Sequence, residues 1–120
     1  MTNKDAFDQL DNFQRLEEMD PDFYQDCMAA LETVIDPELG IDIVNLGLIY
    51  DLFYDGQGSL LVRMTLTTMG CPLQDIIMDS VDYAFKDMDR VERLKVDLVW
   101  VPAWTTDRLS RYARIALGIR

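Results

Sequence analysis

Hydrophobic and polar positions along the chain change period several times, and each change marks an element. Phe7, Leu10, Phe13 and Leu16 recur every three residues in an acidic opening stretch, which suits either a helix that docks its apolar side or a mobile arm. Asp20-Pro21 reads as a helix start, with the aspartate as cap and the proline in the first turn. Tyr24, Cys27, Met28, Leu31 and Ile35 then follow at helical spacing, and Asp36-Pro37 closes the helix because a residue before proline avoids the helical region.

A loop, "DPELGIDIVNLG", leads into "LIYDLFY", which alternates in the strand manner. Asp55-Gly56-Gln57-Gly58 turns the chain into a second strand, "SLLVRMTLT", with Leu60, Val62, Met64 and Leu66 on one face, so the two strands should form an antiparallel hairpin. From Pro72 the period lengthens again: Leu73, Ile76, Ile77, Val81, Ala84 and Phe85 line one side of a helix that ends near Met88. A third strand, "VERLKVDLVW", places Leu94, Val96, Leu98 and Trp100 on one face. After "VPAW", Thr105 or Thr106 is in position to cap a last helix that buries Leu109, Tyr112, Ala113, Ala116 and Leu117 and ends at Gly118.

The order α-β-β-α-β-α, with strands two and three joined through a helix and therefore parallel, predicts an α/β (α+β) two-layer sandwich built on a small three-stranded mixed sheet. A chain of 120 residues holds one core. Residues 1–20 are expected as an acidic N-terminal segment and 21–120 as the domain proper.

Charge narrows the partners. Eleven Lys and Arg against 22 Asp and Glu give a net charge of -11, which repels phosphate backbones and anionic membrane surfaces, so neither nucleic acid nor membrane is expected as a partner. No apolar run approaches the ~20 residues of a membrane span, and the first residues lack a signal-peptide core, which points to the cytoplasm. The one basic surface expected is the last helix, where Arg108, Arg111 and Arg114 recur every three residues. They form either a solvated face or a docking strip for an acidic partner.

Histidine is absent, which removes Ser-His-Asp and Cys-His catalysis and the usual proton shuttle. Two cysteines are too few for a disulfide scaffold. Cys27 falls on a buried stripe and reads as a small core hydrophobe. Cys71 sits in "TTMGCPLQD", where a strand gives way to a helix. A thiol caps a helix poorly, but unpaired N–H groups and the positive end of the helix dipole stabilise a thiolate there. Cys71 is thus either a reactive or metal-contacting sulfur or a half-buried inert thiol.

One cysteine without histidine closes neither a zinc site nor an iron-sulfur site, so ligands would have to come from a second subunit, from Asp36 and Glu38, or from a partner protein. Asp36 and Glu38 stand two apart and would point the same way in an extended segment. Asn45 and Gly47 suit a turn, and Trp104 suits either the core or the wall of a shallow site.

"DPELGIDIVNLGLIY", "MTLTTMGCPL" and "PAWTTDRLSRYARIALGI", in that order, resemble the small metal-sulfur cluster assembly family of SufT-like and PaaD-like proteins and the eukaryotic cytosolic iron-sulfur assembly adaptors. The likeness runs from about Tyr24 to the C-terminus. It implies a cluster assembly domain of the α/β type, an accessory carrier or adaptor rather than an enzyme, with a transient iron-sulfur cluster as cofactor. Implied partners are iron-sulfur assembly proteins, client apoproteins and a second copy in a homodimer.

By motif, the resemblance makes Cys71 the reactive or cluster-contacting thiol, with Asp36, Glu38, Asn45, Thr67, Trp104 and Arg108 in support. Two other roles remain within it: a metal-free adaptor between assembly machinery and clients, and a PaaD-like accessory subunit of an oxygenase complex. Many relatives carry Pro-Pro before the tryptophan, whereas this chain reads Val101-Pro102-Ala103-Trp104, which predicts a less rigid loop.

Overall fold

The computed structural model describes Phe7, residues 10–67 and residues 73–119. Its elements in order are a 3-10 turn Leu10–Asn12, strand β1 (Gln14–Arg15), helix α1 (Leu16–Met19), helix α2 (Pro21–Leu31), strands β2 (Ile49–Tyr54) and β3 (Ser59–Met64), helix α3 (Gln74–Ala84), strand β4 (Arg93–Leu98), a 3-10 turn Thr106–Arg108 and helix α4 (Arg111–Leu117).

The hairpin and the crossover are as the alternation predicts: β2 pairs antiparallel with β3, and β3 pairs parallel with β4 across six residues from Ser59↔Arg93 to Met64↔Leu98. The sheet has four strands rather than the expected three, because Gln14 and Arg15 pair antiparallel with Tyr54 and Phe53 at its edge. Two residues have no readable period, and the pairing is held instead by Arg15, whose Nε donates to Oδ1 of Asp51 at 3.2 Å. From Leu10 to Met19 the described part of the opening stretch is a 3-10 turn, a two-residue strand and a short helix, attached to the sheet through that strand.

Alternation along the strands gives the sheet two faces. Leu52, Tyr54, Leu60, Val62 and Met64 turn to the helices and are buried with Phe23, Cys27 and Leu31 of α2 and Ile77 and Val81 of α3. Leu94, Val96 and Leu98 pack partly buried against the same core. Leu16, from the opening stretch, is also fully buried there.

The helix stripes read from sequence are narrower in the structure. Ile35 lies past α2 and is half exposed, Ile76 is exposed, and on α4 Tyr112 and Ala116 are exposed while Ala113 is buried, as is Leu109 just before the helix.

Caps explain where the helices start. Asp20 caps α2 as expected, its Oδ1 accepting from the Phe23 N–H at 3.1 Å. The last helix is capped by Ser110, not by Thr105 or Thr106, because Thr106–Arg108 first makes a separate 3-10 turn. For α3 the cap residue is Leu73, with no side-chain cap bond. Cys71, which the sequence places at the start of that helix, lies outside the described residues together with Gly70 and Pro72.

Candidate functional site

The described parts of the three motifs converge at one end of the sheet. Residues 35–48 precede β2, Thr65–Thr67 follow β3, and residues 99–110 follow β4. Backbone bonds stitch them together: the Thr65 N–H donates to Leu48 O at 2.9 Å, the Val99 N–H to Met64 O at 2.8 Å, and the Ser110 N–H to Asn45 O at 2.9 Å.

The stretch that reads as a loop before β2 is a second piece of core. Ile41, Ile43, Leu46 and Leu48 are all buried, so a segment without a strand ladder is held by apolar burial. Its polar side chains serve its own backbone. Asp36 is 6% exposed, and its Oδ1 accepts from the N–H groups of Glu38 at 2.8 Å and Leu39 at 3.0 Å, an Asx-type turn. The segment from Pro37 to Leu39 is a turn, so Asp36 and Glu38 do not point the same way: the first is buried in hydrogen bonding, the second exposed.

Asp42 was not among the residues singled out from sequence, yet it organises the end of this loop. It is 8% exposed, accepts from the Asn45 N–H at 2.9 Å, and accepts from Asn45 Nδ2 at 2.7 Å. That fixes which way the Asn45 amide faces. Its Oδ1 is left to accept from the Ser110 hydroxyl at 2.6 Å, and Ser110 Oγ in turn accepts from the Ala113 N–H. Asp42, Asn45, Ser110 and α4 form one chain of hydrogen bonds. An aspartate three residues before an asparagine was the available signal for it.

The segment after β4 clamps the same loop. Trp104 is half-buried against the core and donates its indole N–H to Leu46 O at 2.6 Å. Arg108 Nε donates to Gly47 O at 2.7 Å while its guanidinium lies 4.1 Å from the centre of the Tyr50 ring, and the Tyr50 hydroxyl donates to Pro102 O at 2.5 Å. These contacts hold the Val101–Pro102–Ala103 stretch that the missing proline left in question, with the Val101–Pro102 peptide cis. Gly47 has φ +76°, and a Cβ there would run into the Arg108 carbonyl oxygen and meet Arg108 Cβ at 2.7 Å. Glycine is thus required twice over, for its backbone angle and for the close approach.

Of the expected supporting residues, the structure brings Asn45, Trp104 and Arg108 onto one frame, with Asp36 in the turn that begins the same loop. Thr67 is the last described residue after β3. Around this end, Ile35, Leu39 and Val101 expose apolar surface to solvent, Val101 by 84%.

Cys27 is fully buried and free, and desolvation, aided by the nearby Asp26 charge, pushes its thiol up to about 12. At neutral pH it is a core thiol with negligible thiolate. Among the described residues, no three His, Cys, Asp or Glu side chains gather in a metal-binding group, and no helix is long and apolar enough to cross a membrane.

Residues 24–98 match the profile of a family described as iron-sulfur cluster assembly protein. The Fe-S protein maturation auxiliary factor YitW of Bacillus subtilis is 55% identical over 96 residues, 80% of this chain and 94% of that protein. The Fe-S protein maturation auxiliary factor SufT of Staphylococcus aureus is 52% identical over 86 residues, 72% of this chain and 98% of that protein. A crystal structure of a domain of unknown function, DUF59, from Bacillus anthracis superposes with a TM-score of 0.78 at 44% identity, covering 83% of this chain and 95% of that one.

Proposed function

The chain belongs to the iron-sulfur cluster assembly protein family, and from that membership and the geometry we propose that it is an accessory factor in iron-sulfur protein maturation that holds or hands over a cluster through Cys71. The observation that carries this reading is the state of the other thiol. The chain has two cysteines; Cys27 is sealed in the core and protonated, so thiol chemistry falls to Cys71.

The cluster is cargo in this account. Iron-sulfur clusters are commonly held by four cysteine thiolates, and besides the core thiol one chain offers one candidate, Cys71. The remaining ligands then come from a second copy or from a client protein, which makes the site an interface. Exposed Ile35, Leu39 and Val101 at the convergent end fit a surface that another chain covers. In this reading Asp36, Asn45, Trp104 and Arg108 do not touch cargo: they hold the loop before β2 and the segment after β4 in fixed relation, with Glu38 exposed and Thr67 half-buried beyond β3. The role is non-enzymatic, supported by the absence of histidine and by relatives named as auxiliary factors.

A second reading, a metal-free adaptor between assembly proteins and clients, is favoured by α4. That helix exposes Arg111, Tyr112 and Ile115 together, a basic and apolar strip on an otherwise acidic chain. Arg108, by contrast, is engaged with Gly47 and Tyr50, so Arg111 is the cleaner probe of docking.

The test is maturation in cells lacking their own factor of this family. Wild-type chain restores the activity of an iron-sulfur client enzyme, and Cys71→Ser, present at the same level, does not. Full restoration by Cys71→Ser together with failure of Arg111→Glu would replace the carrier by the adaptor.

A further inference from the structure

The sheet has a second face, and the residues on it form ordered rows. Arg15, Phe53, Leu61 and Lys95 stand opposite one another across all four strands, and Asp51, Arg63 and Asp97 make the adjacent row. Leu61 points away from the helices, yet it is only 5% exposed.

What covers it is the chain's own opening segment. Leu10 and Phe13 bound a cleft of about 160 Å³ with Phe53, Leu61 and Arg63. Phe7 and Leu10 bound another of about 110 Å³ with Leu61, Lys95 and Asp97. Phe7 and Phe13 stack with ring centres 5.6 Å apart. The three-residue spacing of Phe7, Leu10 and Phe13, read from sequence as a possible docking side, serves this face, while Leu16 passes round the sheet edge into the main core.

We propose that this outer face is a docking surface for an acidic segment of a partner protein bearing aromatic or leucine side chains three residues apart, and that Phe7, Leu10 and Phe13 occupy it in cis as a competing strap. Charge supports the choice of occupant. Arg63 is matched by Asp97 at 2.9 Å and Arg15 by Asp51 at 3.2 Å, which leaves Lys95 exposed and without an ion pair among the described residues. The described strap carries the acid Asp11 between Leu10 and Phe13, opposite in sign to the unmatched lysine of the face, so an acidic apolar segment suits this surface.

The packing supports displacement. A well-packed interior leaves few voids larger than a water molecule, whereas clefts remain on both sides of Leu10. A few apolar contacts tethered through β1 compete at the high effective concentration of an intramolecular ligand, and a partner segment that fills the clefts gains the dispersion contacts the strap forgoes. The strap lies outside residues 24–98, the part of the chain that the family profile matches, and the proposal does not depend on Cys71.

The experiment uses a fluorescein-labelled peptide of residues 1–13, titrated against the full-length wild-type chain and against full-length Phe7→Asp/Leu10→Asp, whose strap is released while β1 and Leu16 are kept. The peptide should bind the released variant at least ~10-fold more tightly than wild type, and adding Lys95→Glu should weaken that binding several-fold. Phe7→Asp alone, with an unfolding transition matching wild type, is the second variant and should give an intermediate gain. Equal affinity for wild type and both variants, or no saturable binding to a folded variant, would overturn the proposal. So would a wild-type dimer by sedimentation that dissociates on Phe7→Asp/Leu10→Asp, since it would give the face to the strap of a second copy.

Discussion

The Ser110 hydroxyl donates to Asn45 Oδ1 at 2.6 Å while its oxygen accepts from the Ala113 N–H at 3.1 Å, so one side chain both starts α4 and locks it to the loop before β2. Ser110→Ala removes a helix cap and leaves a half-buried amide oxygen unpaired. Each loss costs about 1 kcal/mol, so the variant should be less stable by about 2 kcal/mol in urea unfolding. A change within ~0.5 kcal/mol, the usual range for surface substitutions, would show that the bridge carries no strength.

Gly47 and Gly56 separate two costs of replacing glycine. Both have positive φ, +76° and +78°, but only Gly47 faces another segment at overlap distance, while a Cβ at Gly56 meets nothing within 4 Å. Gly56→Ala should cost about 1 kcal/mol, the left-handed penalty alone. Gly47→Ala should cost clearly more and loosen the Arg108 contact. Equal destabilisation of the two variants would mean the close approach does not matter.

Much of this architecture is legible in the residues. Asp20-Pro21, the hairpin around Gly56, the parallel pair across α3 and the burial of Cys27 all follow from caps, turns and period, which are local signals. The missed features are set by partners distant in sequence. Gln14–Arg15 becomes a strand only because the β2 edge is available and Asp51 meets Arg15. Asp42 reads as one more loop acid until Asn45 and Ser110 are placed beside it. Thr105 and Thr106 are good caps in isolation, but a 3-10 turn intervenes and Ser110 takes the position. Motif resemblance singled out Asn45, Trp104 and Arg108 in the sequence, whereas the structural work they do emerges only from the fold.

Asp20 predicts an acid-side dependence of stability. Its carboxylate is held below the usual range, first by the Phe23 N–H and then by Arg90, with Arg90 Nη2 at 3.1 Å from Oδ2. A depressed carboxylate contributes stability in full above its unfolded pKa of about 3.9 and loses it as pH falls through the lower folded value. Melting temperatures followed downward from about pH 4, where unfolded aspartate begins to protonate, should fall less steeply for Asp20→Asn than for wild type. Parallel slopes would contradict the assignment.

Thiol accessibility follows from the burial of Cys27. In the native protein at pH 8 a disulfide reagent should titrate one thiol per chain rapidly, and in denaturant two. Cys71→Ser should leave no fast-reacting thiol, and Cys27→Ala should leave the fast phase intact. A fast phase that survives Cys71→Ser would mean the core opens readily around α2.

The central claim is that Cys71 is the thiol that meets the cluster, and anaerobic reconstitution with iron and sulfide tests it most directly. Visible absorbance and iron per chain are compared in wild type, Cys27→Ala and Cys71→Ser. The account predicts cluster absorbance in the first two and its loss in Cys71→Ser with the unfolding transition unchanged. Equal cluster content in Cys71→Ser would contradict it.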